Sequence, residues 1–161
     1  MSRKERFFQK EIKQNKPFHS LMTEAAVGLL ITAGVLRRKL SALVEQGGVT
    51  FQQFNVLRIL RGAGTEGLPT REIAARLLEK SPGITRFIDQ LETRGLVKRR
   101  RSTSDRRQVF CMITESGLEL LSKLDQPVDE WDEQRLSVLN ERELKQLIGF
   151  LERIHSYHAN L

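Results

Sequence analysis

A polar and cationic stretch from Ser81 to Arg107 holds the residues best suited to contact a nucleic acid. On a helix that begins near Ser81, the side chains of Thr85 and Arg86 lie opposite the apolar stripe. Pro82 and Gly83 keep the start of this helix slim. Arg86 is suited to donate two parallel hydrogen bonds to guanine in a major groove. The predicted base-reading residues are Ser81, Pro82, Gly83, Thr85 and Arg86.

The segment that follows this helix is strongly basic. Seven residues from Arg94 to Arg107 are cationic, against one acid, Asp105. A basic hairpin beside a helix in the major groove brings its cations to phosphates or to the minor groove. At least one of the arginines at 99–101 is expected to be structural. The predicted hairpin contacts are Arg99, Arg101, Arg106 and Arg107, and Arg71 or Lys80 is predicted to contact phosphates.

Composition supports a polyanionic partner. The 161 residues include 27 Lys and Arg against 20 Asp and Glu, a net charge of +7. This balance favours nucleic acid first and an anionic membrane second. The single cysteine, Cys111, excludes an internal disulfide and suits a reducing cytosol. No apolar run reaches the ~18–20 residues of a membrane span, and no secretory signal is evident, so a cytoplasmic location without membrane contact is expected.

Helical periodicity dominates the first half of the chain. A helix is predicted from Leu21 to about Glu45 because its apolar residues recur at steps of four and three, typical of a helix–helix seam. Those residues are Leu29, Ala33, Leu36, Leu40 and Leu43. So long a helix exceeds the needs of one small core, so part of it is expected to pack on a second subunit. Thr50 and Gln53 form a capping box for the next helix.

Two short helices follow in close succession. Thr70 is predicted to cap a helix from Arg71 to about Leu78. Ser81 is predicted to cap the next helix, with Pro82 at its first position and Gly95 at its end. The apolar stripe of this second helix is Ile84, Phe87, Ile88 and Leu91. A pair joined by so short a turn is typical of a helix-turn-helix whose second member reads DNA.

The rest of the chain is predicted to hold a hairpin and two helices. Leu96-Val97 and the segment 109–113 are interpreted as strands, and the glycine-rich segment 62–69 as a loop. Thr114 caps a helix that Pro127 is expected to disturb. Asn140 and Glu143 form a capping box for the last helix. The residues that this helix is expected to bury are Leu144, Leu147, Ile148, Leu151 and Ile154.

These patterns together predict a mainly α fold with a small β wing. Its parts are a basic N-terminal extension at 1–20, a dimerisation helix at 21–48, a winged helix-turn-helix DNA-binding lobe at 50–114, and C-terminal helices at 115–161 that complete the dimer interface. They are expected to form one compact domain. The extension is compatible with either a short amphipathic helix or a mobile arm.

The order and spacing of these motifs resemble the MarR family of bacterial transcriptional regulators. The resemblance covers roughly 21–155 and is densest at 68–121. It lies in the pair Thr85-Arg86, the segment 91–97 (LETRGLV), the wing triplet 105–107 (DRR) and the segment 114–117 (TESG). It implies a homodimer that binds a pseudo-palindromic operator in double-stranded DNA, usually represses, and is often released by a small amphipathic molecule or an oxidant. It also implies that Asp105 holds a wing arginine in position.

Departures and alternatives qualify this interpretation. The family's redox-sensing branch uses a cysteine near the N-terminus, whereas Cys111 lies in a predicted strand and is expected to be a buried structural thiol. No catalytic, phosphate-binding or cofactor motif supports an enzyme. His155 and His158 are spaced for one helix face, but nothing completes a metal site. Trp131 and Tyr157 fit either an effector pocket or the core. The rival function is a winged-helix module that binds RNA or protein without operator specificity.

Overall fold

A computed structural model describes residues 7–78, 83–101 and 108–159. The described chain is mainly helical with a small antiparallel sheet, which confirms the predicted fold class. In order, its elements are α1 (Phe7–Glu11), α2 (Leu21–Glu45), α3 (Phe51–Ala63), a 3₁₀ turn (Gly64–Glu66), β1 (Leu68–Pro69), α4 (Thr70–Arg76), α5 (Ile84–Thr93), β2 (Val97–Arg101), β3 (Val109–Ile113), α6 (Glu115–Gln134) and α7 (Glu141–Ala159). Among these elements, no helix is long and apolar enough to cross a membrane.

The chain divides into two compact units, residues 1–42 and 43–161. The first contains α1 and most of α2. The aromatic ring of Phe8 lies against Gly28, where an added Cβ would come within 2.5 Å of the ring atom Cε2. Part of the basic extension therefore forms a short helix, one of the two forms expected for it.

Helix α2 leaves most of its apolar side chains accessible. Leu29, a predicted seam residue, is 40% exposed, and its neighbour Leu30 is 73% exposed. The other predicted seam residues, Ala33, Leu36, Leu40 and Leu43, are exposed or half-buried. The predicted helix is confirmed, and none of its five seam residues is fully buried in the described chain.

The second unit contains every buried hydrophobic side chain of the described residues. Helix α3 lies at its centre and contacts α4, α5 and α6. The largest fully buried side chains include Phe54, Leu57 and Leu60 of α3 together with Ile73, Ile88, Leu91 and Leu121. Burying side chains of this size stabilises a fold by about 1.5–3 kcal/mol each, so this core is the main source of stability for the elements around it.

Local capping signals are confirmed at three helices. At α3 the Gln53 amide donates to Thr50 Oγ1 at 3.3 Å, and the Thr50 amide donates to Gln53 Oε1 at 3.0 Å. At α7 Asn140 and Glu143 exchange the equivalent bonds at 2.9 and 3.1 Å. At α6 the Gly117 amide donates to Thr114 Oγ1 at 3.1 Å. Each such cap typically contributes about 1 kcal/mol.

Three predicted helix boundaries are wrong. Helix α4 includes Thr70 and has Pro69 at the cap position, so Thr70 is no cap, and it ends at Arg76 because Leu77 is extended (ψ 139°). In this extended conformation the Leu77 side chain is buried. Helix α5 begins at Ile84 with Gly83 at the cap position, two residues later than predicted.

Helix α6 continues through Pro127 and ends at Gln134, so the predicted disturbance there is wrong. Pro127 is exposed, while Leu124 and Val128 beside it are buried. Burial of these flanking residues favours an uninterrupted helix over a break at the missing backbone N–H.

The sheet has the order β1-β3-β2 and includes a strand that the sequence did not predict. Strand β1 is only two residues long and pairs Leu68 with Cys111, so it has no visible alternation. At Gly67, φ is +69° and an added Cβ would collide with the Cys111 carbonyl, so a side chain there would push β1 off β3. Strand β2 extends to Arg101, beyond the predicted Leu96-Val97, because basic side chains suit an exposed sheet edge.

Helix α7 buries none of its residues, which corrects the prediction that its apolar stripe is buried. Leu144 and Leu147 are half-buried, and Ile148, Leu151 and Ile154 are 54%, 38% and 48% exposed. Amphipathic periodicity indicates which face is apolar but not whether the same chain covers it.

Candidate nucleic-acid interface

Helix α5 presents one apolar and one polar face. Ile88 and Leu91 are fully buried, and Ile84 and Phe87 are half-buried. On the other side Thr85 and Arg86 are exposed, and no side chain of the described residues is paired with the Arg86 guanidinium. The predicted stripe is confirmed, and the polar face has the small, hydrogen-bonding surface that fits a major groove.

The end of α5 is closed by a glycine in the left-handed region. Gly95 has φ +71°, and its amide donates to the Glu92 carbonyl at 2.8 Å. The Leu96 amide donates to the Leu91 carbonyl at 2.9 Å. These two bonds form a Schellman motif, in which glycine is favoured because a Cβ is strained at this φ. The chain therefore turns from α5 directly into β2.

Two side-chain contacts tie the C-terminal end of α5 to α3 and to the turn that precedes α3. Arg94 Nη1 donates to the Gly48 carbonyl at 2.6 Å. Gln53 Nε2 donates to Gln90 Oε1 at 3.0 Å. Gln90 is exposed on α5, and this contact anchors it to α3. The orientation of α5 is thus set by polar contacts as well as by its buried stripe.

Arg99 of β2 connects the strand to α5. Its Nη2 donates to Asp89 Oδ1 at 2.5 Å and its Nη1 to Glu92 Oε2 at 2.9 Å. Burial acts to lower the pKa of the Arg99 guanidinium, but the hydrogen bond to Asp89 and the charges of Glu92 and Asp89 outweigh it, so the pKa is raised. These ion pairs give Arg99 the structural role expected for at least one of the three strand arginines.

The other predicted contacts divide between described and undescribed residues. Arg101 at the end of β2 and Arg71 in the first turn of α4 are exposed, as are Lys98 and Arg100. Gly83 is half-buried at the start of α5. The remaining predicted contacts lie outside the described residues: Lys80, Ser81, Pro82, Asp105, Arg106 and Arg107.

Sequence reasoning missed the positioning contacts of Asp89, Glu92 and Arg94. The spacing of Asp89 and Glu92 placed them within one turn of each other, which was the available signal. Their partner Arg99 lies in β2, after the turn at Gly95. Helical periodicity does not predict how that turn places β2 against α5.

Cys111 lies at the centre of the sheet and is fully buried, which confirms the expected burial of this thiol. Its Sγ is 3.8 Å from Thr70 Oγ1, and its backbone is paired with Arg99 on one side and Leu68 on the other. The thiol therefore lies on the central strand of the sheet, between β1 and β2.

The remaining candidate residues are on or near the C-terminal helices. His155 and His158 are exposed, and Trp131 is half-buried. Tyr157 is 67% exposed, so it is not a core residue. In segments 7–78, 83–101 and 108–159, no group of three His, Cys, Asp or Glu side chains is placed to hold a metal ion.

Comparison with known proteins places this arrangement in one family. Residues 49–109 match the MarR family. The HTH-type transcriptional regulator MhqR of Bacillus subtilis (strain 168) is 30% identical over 137 residues, which span 83% of this chain and 93% of that protein. The crystal structure of a MarR transcription factor from Planctomyces limnophilus is 39% identical, with a TM-score of 0.65 over 84% of this chain and 98% of that one.

A third comparison concerns the fold alone. The S. aureus MepR–DNA complex has a TM-score of 0.73 and 23% identity over 88% of this chain and 99% of that one. The matched family and the similar regulators are transcription factors, which separates this chain from the enzyme class. With its helix-turn-helix, its wing strands and these relatives, the chain belongs to the MarR family of DNA-binding transcriptional regulators.

Proposed function

We propose that the protein is a homodimeric repressor that binds a pseudo-palindromic DNA operator through α5 and the wing. The observation that carries this proposal is the pairing of an anchored helix, whose exposed face holds Thr85 and Arg86, with a basic strand that begins two residues after its closing glycine. A helix of this polarity fits a major groove, and the strand that follows carries its cations towards the flanking backbone.

Within this proposal the exposed cations have different tasks. Arg86 contacts a base edge, with a bidentate guanine contact worth about 1–3 kcal/mol of discrimination. Thr85 and Gly83 allow the helix start to approach the bases. Arg71 and Arg101 contact phosphates, which position the protein without reading sequence. Lys80, Ser81, Pro82, Asp105, Arg106 and Arg107 keep the roles predicted from the sequence, with Asp105 holding a wing arginine.

Dimerisation is supported by apolar side chains on two helices that the described residues leave accessible. On α2, Met22 and Leu30 are 81% and 73% exposed, and on α7, Ile148 and Leu151 are 54% and 38% exposed. Exposed apolar faces of this extent mark interaction surfaces. A twofold arrangement would double the reading helix and place half-sites about 34–36 Å apart.

Release by a small amphipathic molecule completes the proposal. Its support is membership of the family together with the accessible aromatic and aliphatic side chains of α7, among them Tyr157, which is 67% exposed. A panel of amphipathic acids and phenols added to the operator complex tests this part, with loss of the complex as the expected readout.

The decisive experiment is a salt titration of binding to a pool of random duplex DNA, with sequencing of the retained fraction. The expected result is a pseudo-palindrome whose affinity falls steeply with salt, as release of counterions from phosphates requires. Hairpin RNA serves as the competitor. Salt-sensitive binding without a motif, or a preference for the hairpin RNA, would contradict operator recognition and favour the rival RNA- or protein-binding module.

A further inference from the structure

Helix α5 carries two acids close to its proposed DNA-reading face. Asp89 is one turn after Arg86, and Glu92 is one turn further on. Their side chains are 54% and 39% exposed. Carboxylates in this position repel phosphates within a Debye length of about 8–10 Å, so the helix needs a partner that offsets them.

Arg99 is placed to pair with both acids at once. Each terminal nitrogen of its guanidinium donates to a different carboxylate, Nη2 to Asp89 at 2.5 Å and Nη1 to Glu92 at 2.9 Å. A planar, forked cation can make two such bonds in fixed geometry, whereas a lysine ammonium is a point charge. The two acids lie three residues apart, so both project from α5 on the side of β2.

The burial pattern of β2 separates Arg99 from its neighbours. The Arg99 side chain is 27% exposed, whereas Lys98 and Arg100 are exposed, as expected when alternate residues of a strand face opposite sides. Strand β2 contacts α5 directly. The guanidinium is therefore held between the strand and the helix, with both terminal nitrogens engaged by carboxylates.

We propose that Arg99 is a positioning residue for DNA binding, which acts through Asp89 and Glu92 and not through a phosphate. It fixes the wing strand against the reading helix, and its single positive charge offsets part of the negative charge of the two carboxylates near the DNA. This reassigns Arg99 from the phosphate contact that its basic surroundings suggested, and it rests on the proposed function of the same site.

The test is a double-mutant cycle on the dissociation constant for duplex DNA. Arg99→Gln is made in the wild-type chain and in an Asp89→Asn/Glu92→Gln background. We expect a loss of affinity on the order of 10-fold in the wild type, falling below about 3-fold in the acid-free background, because coupled residues are not additive. Arg101→Gln is the matched control, with the same loss expected in both backgrounds.

A conservative variant distinguishes a guanidinium that binds two carboxylates from a cation that binds a phosphate. If Arg99 contacted a phosphate, Arg99→Lys would retain most of the affinity. If it holds two carboxylates, Arg99→Lys is expected to lose several-fold in affinity, though less than Arg99→Gln, because lysine keeps the charge but cannot make both bonds in fixed geometry. Because Arg99→Lys keeps the charge, it can replace Arg99→Gln in the double-mutant cycle if Arg99→Gln does not fold.

Amide hydrogen exchange without DNA gives an independent readout. Amides of β2 and β3 are expected to exchange several-fold faster in both the Arg99 and the acid variants, since either change releases the strand from α5. Equal losses in the two backgrounds, or unchanged exchange, would overturn the role of Arg99 alone. A wild-type protein that retains no duplex DNA would instead overturn the proposed function, and with it this role.

Discussion

At the scale of single residues, the same side chain does different work according to its surroundings. Arg86 is exposed on α5, whereas Arg99 is held by Asp89 and Glu92. Residue type and helical register were enough to predict the exposed face that carries Arg86. They were not enough to predict the partners of Arg99, because the contact depends on how a glycine turn folds the strand back on the helix.

Replacing Arg86 with Ala is expected to relax sequence preference at particular operator positions. The loss of one bidentate base contact should reduce discrimination there by about 1–3 kcal/mol. Selection from a random duplex pool, compared between variant and wild type, measures this directly. An unchanged motif would contradict the base-reading role of Arg86.

Arg101→Ala is expected to act differently, because a phosphate contact carries no sequence information. Affinity should fall by a similar factor for all duplexes, and the slope of log affinity against log salt should decrease by about one unit. Titrations with the operator and with unrelated duplex DNA measure both quantities. A loss confined to the operator would contradict a purely electrostatic contact.

At the scale of elements, features that depend on residues close in sequence were easier to predict than those that depend on distant residues. The capping boxes at Thr50 and Asn140 involve residues three apart and were predicted correctly. Strand β1 was missed because its partner Cys111 is distant in sequence. The course of α6 through Pro127 was missed because buried neighbours overrode a local signal.

Gly95→Ala is expected to destabilise the lobe by about 1 kcal/mol, because alanine is strained at a positive φ. The matched control is Gly62→Ala, where the backbone is helical and an added Cβ meets nothing within 4 Å. That change should stabilise by about 0.5–1 kcal/mol. Urea unfolding of both variants measures the difference, and a Gly95 variant as stable as wild type would contradict the role of the turn.

Pro127→Ala is expected to stabilise the protein by about 1–2 kcal/mol. It restores a backbone donor inside α6 and removes a ring that opposes helix geometry, gains partly offset by a more flexible unfolded chain. Pro127 is exposed, so no core packing is lost. Thermal unfolding measures the change, and a destabilised variant would show that α6 depends on the local shape that proline imposes.

At the scale of the whole molecule, the buried hydrophobic core and the exposed apolar side chains of α2 and α7 belong to different parts of the chain. All buried hydrophobic side chains of the described chain belong to residues 43–161, while α7 buries none of its own. Helical periodicity predicted both apolar stripes of α2 and α7. The length of α2 also led to the expectation that part of it packs on a second subunit. Periodicity did not reveal that the described residues leave the stripe of α7 accessible, because an accessible apolar face has the same pattern as a core face.

Ile154→Glu is expected to shift the protein from dimer to monomer and to weaken operator binding, because a charge on an apolar interface is desolvated without a partner. Ser156→Glu is the control, since it places the same charge about 200° away around α7. Sedimentation velocity measures the oligomeric state. If both variants remained associated like the wild type, α7 would not form the interface.

The only thiol in the sequence is fully enclosed at the centre of the wing sheet. A thiol-reactive dye can modify Cys111 only while a local opening of the lobe exposes the thiol, so the rate of labelling measures how often that opening occurs. The native chain thus contains its own spectroscopic reporter, with no engineered cysteine required. Labelling slowed by operator DNA would show that the occupied wing opens less often, and the slowing would give the free energy by which DNA holds it shut.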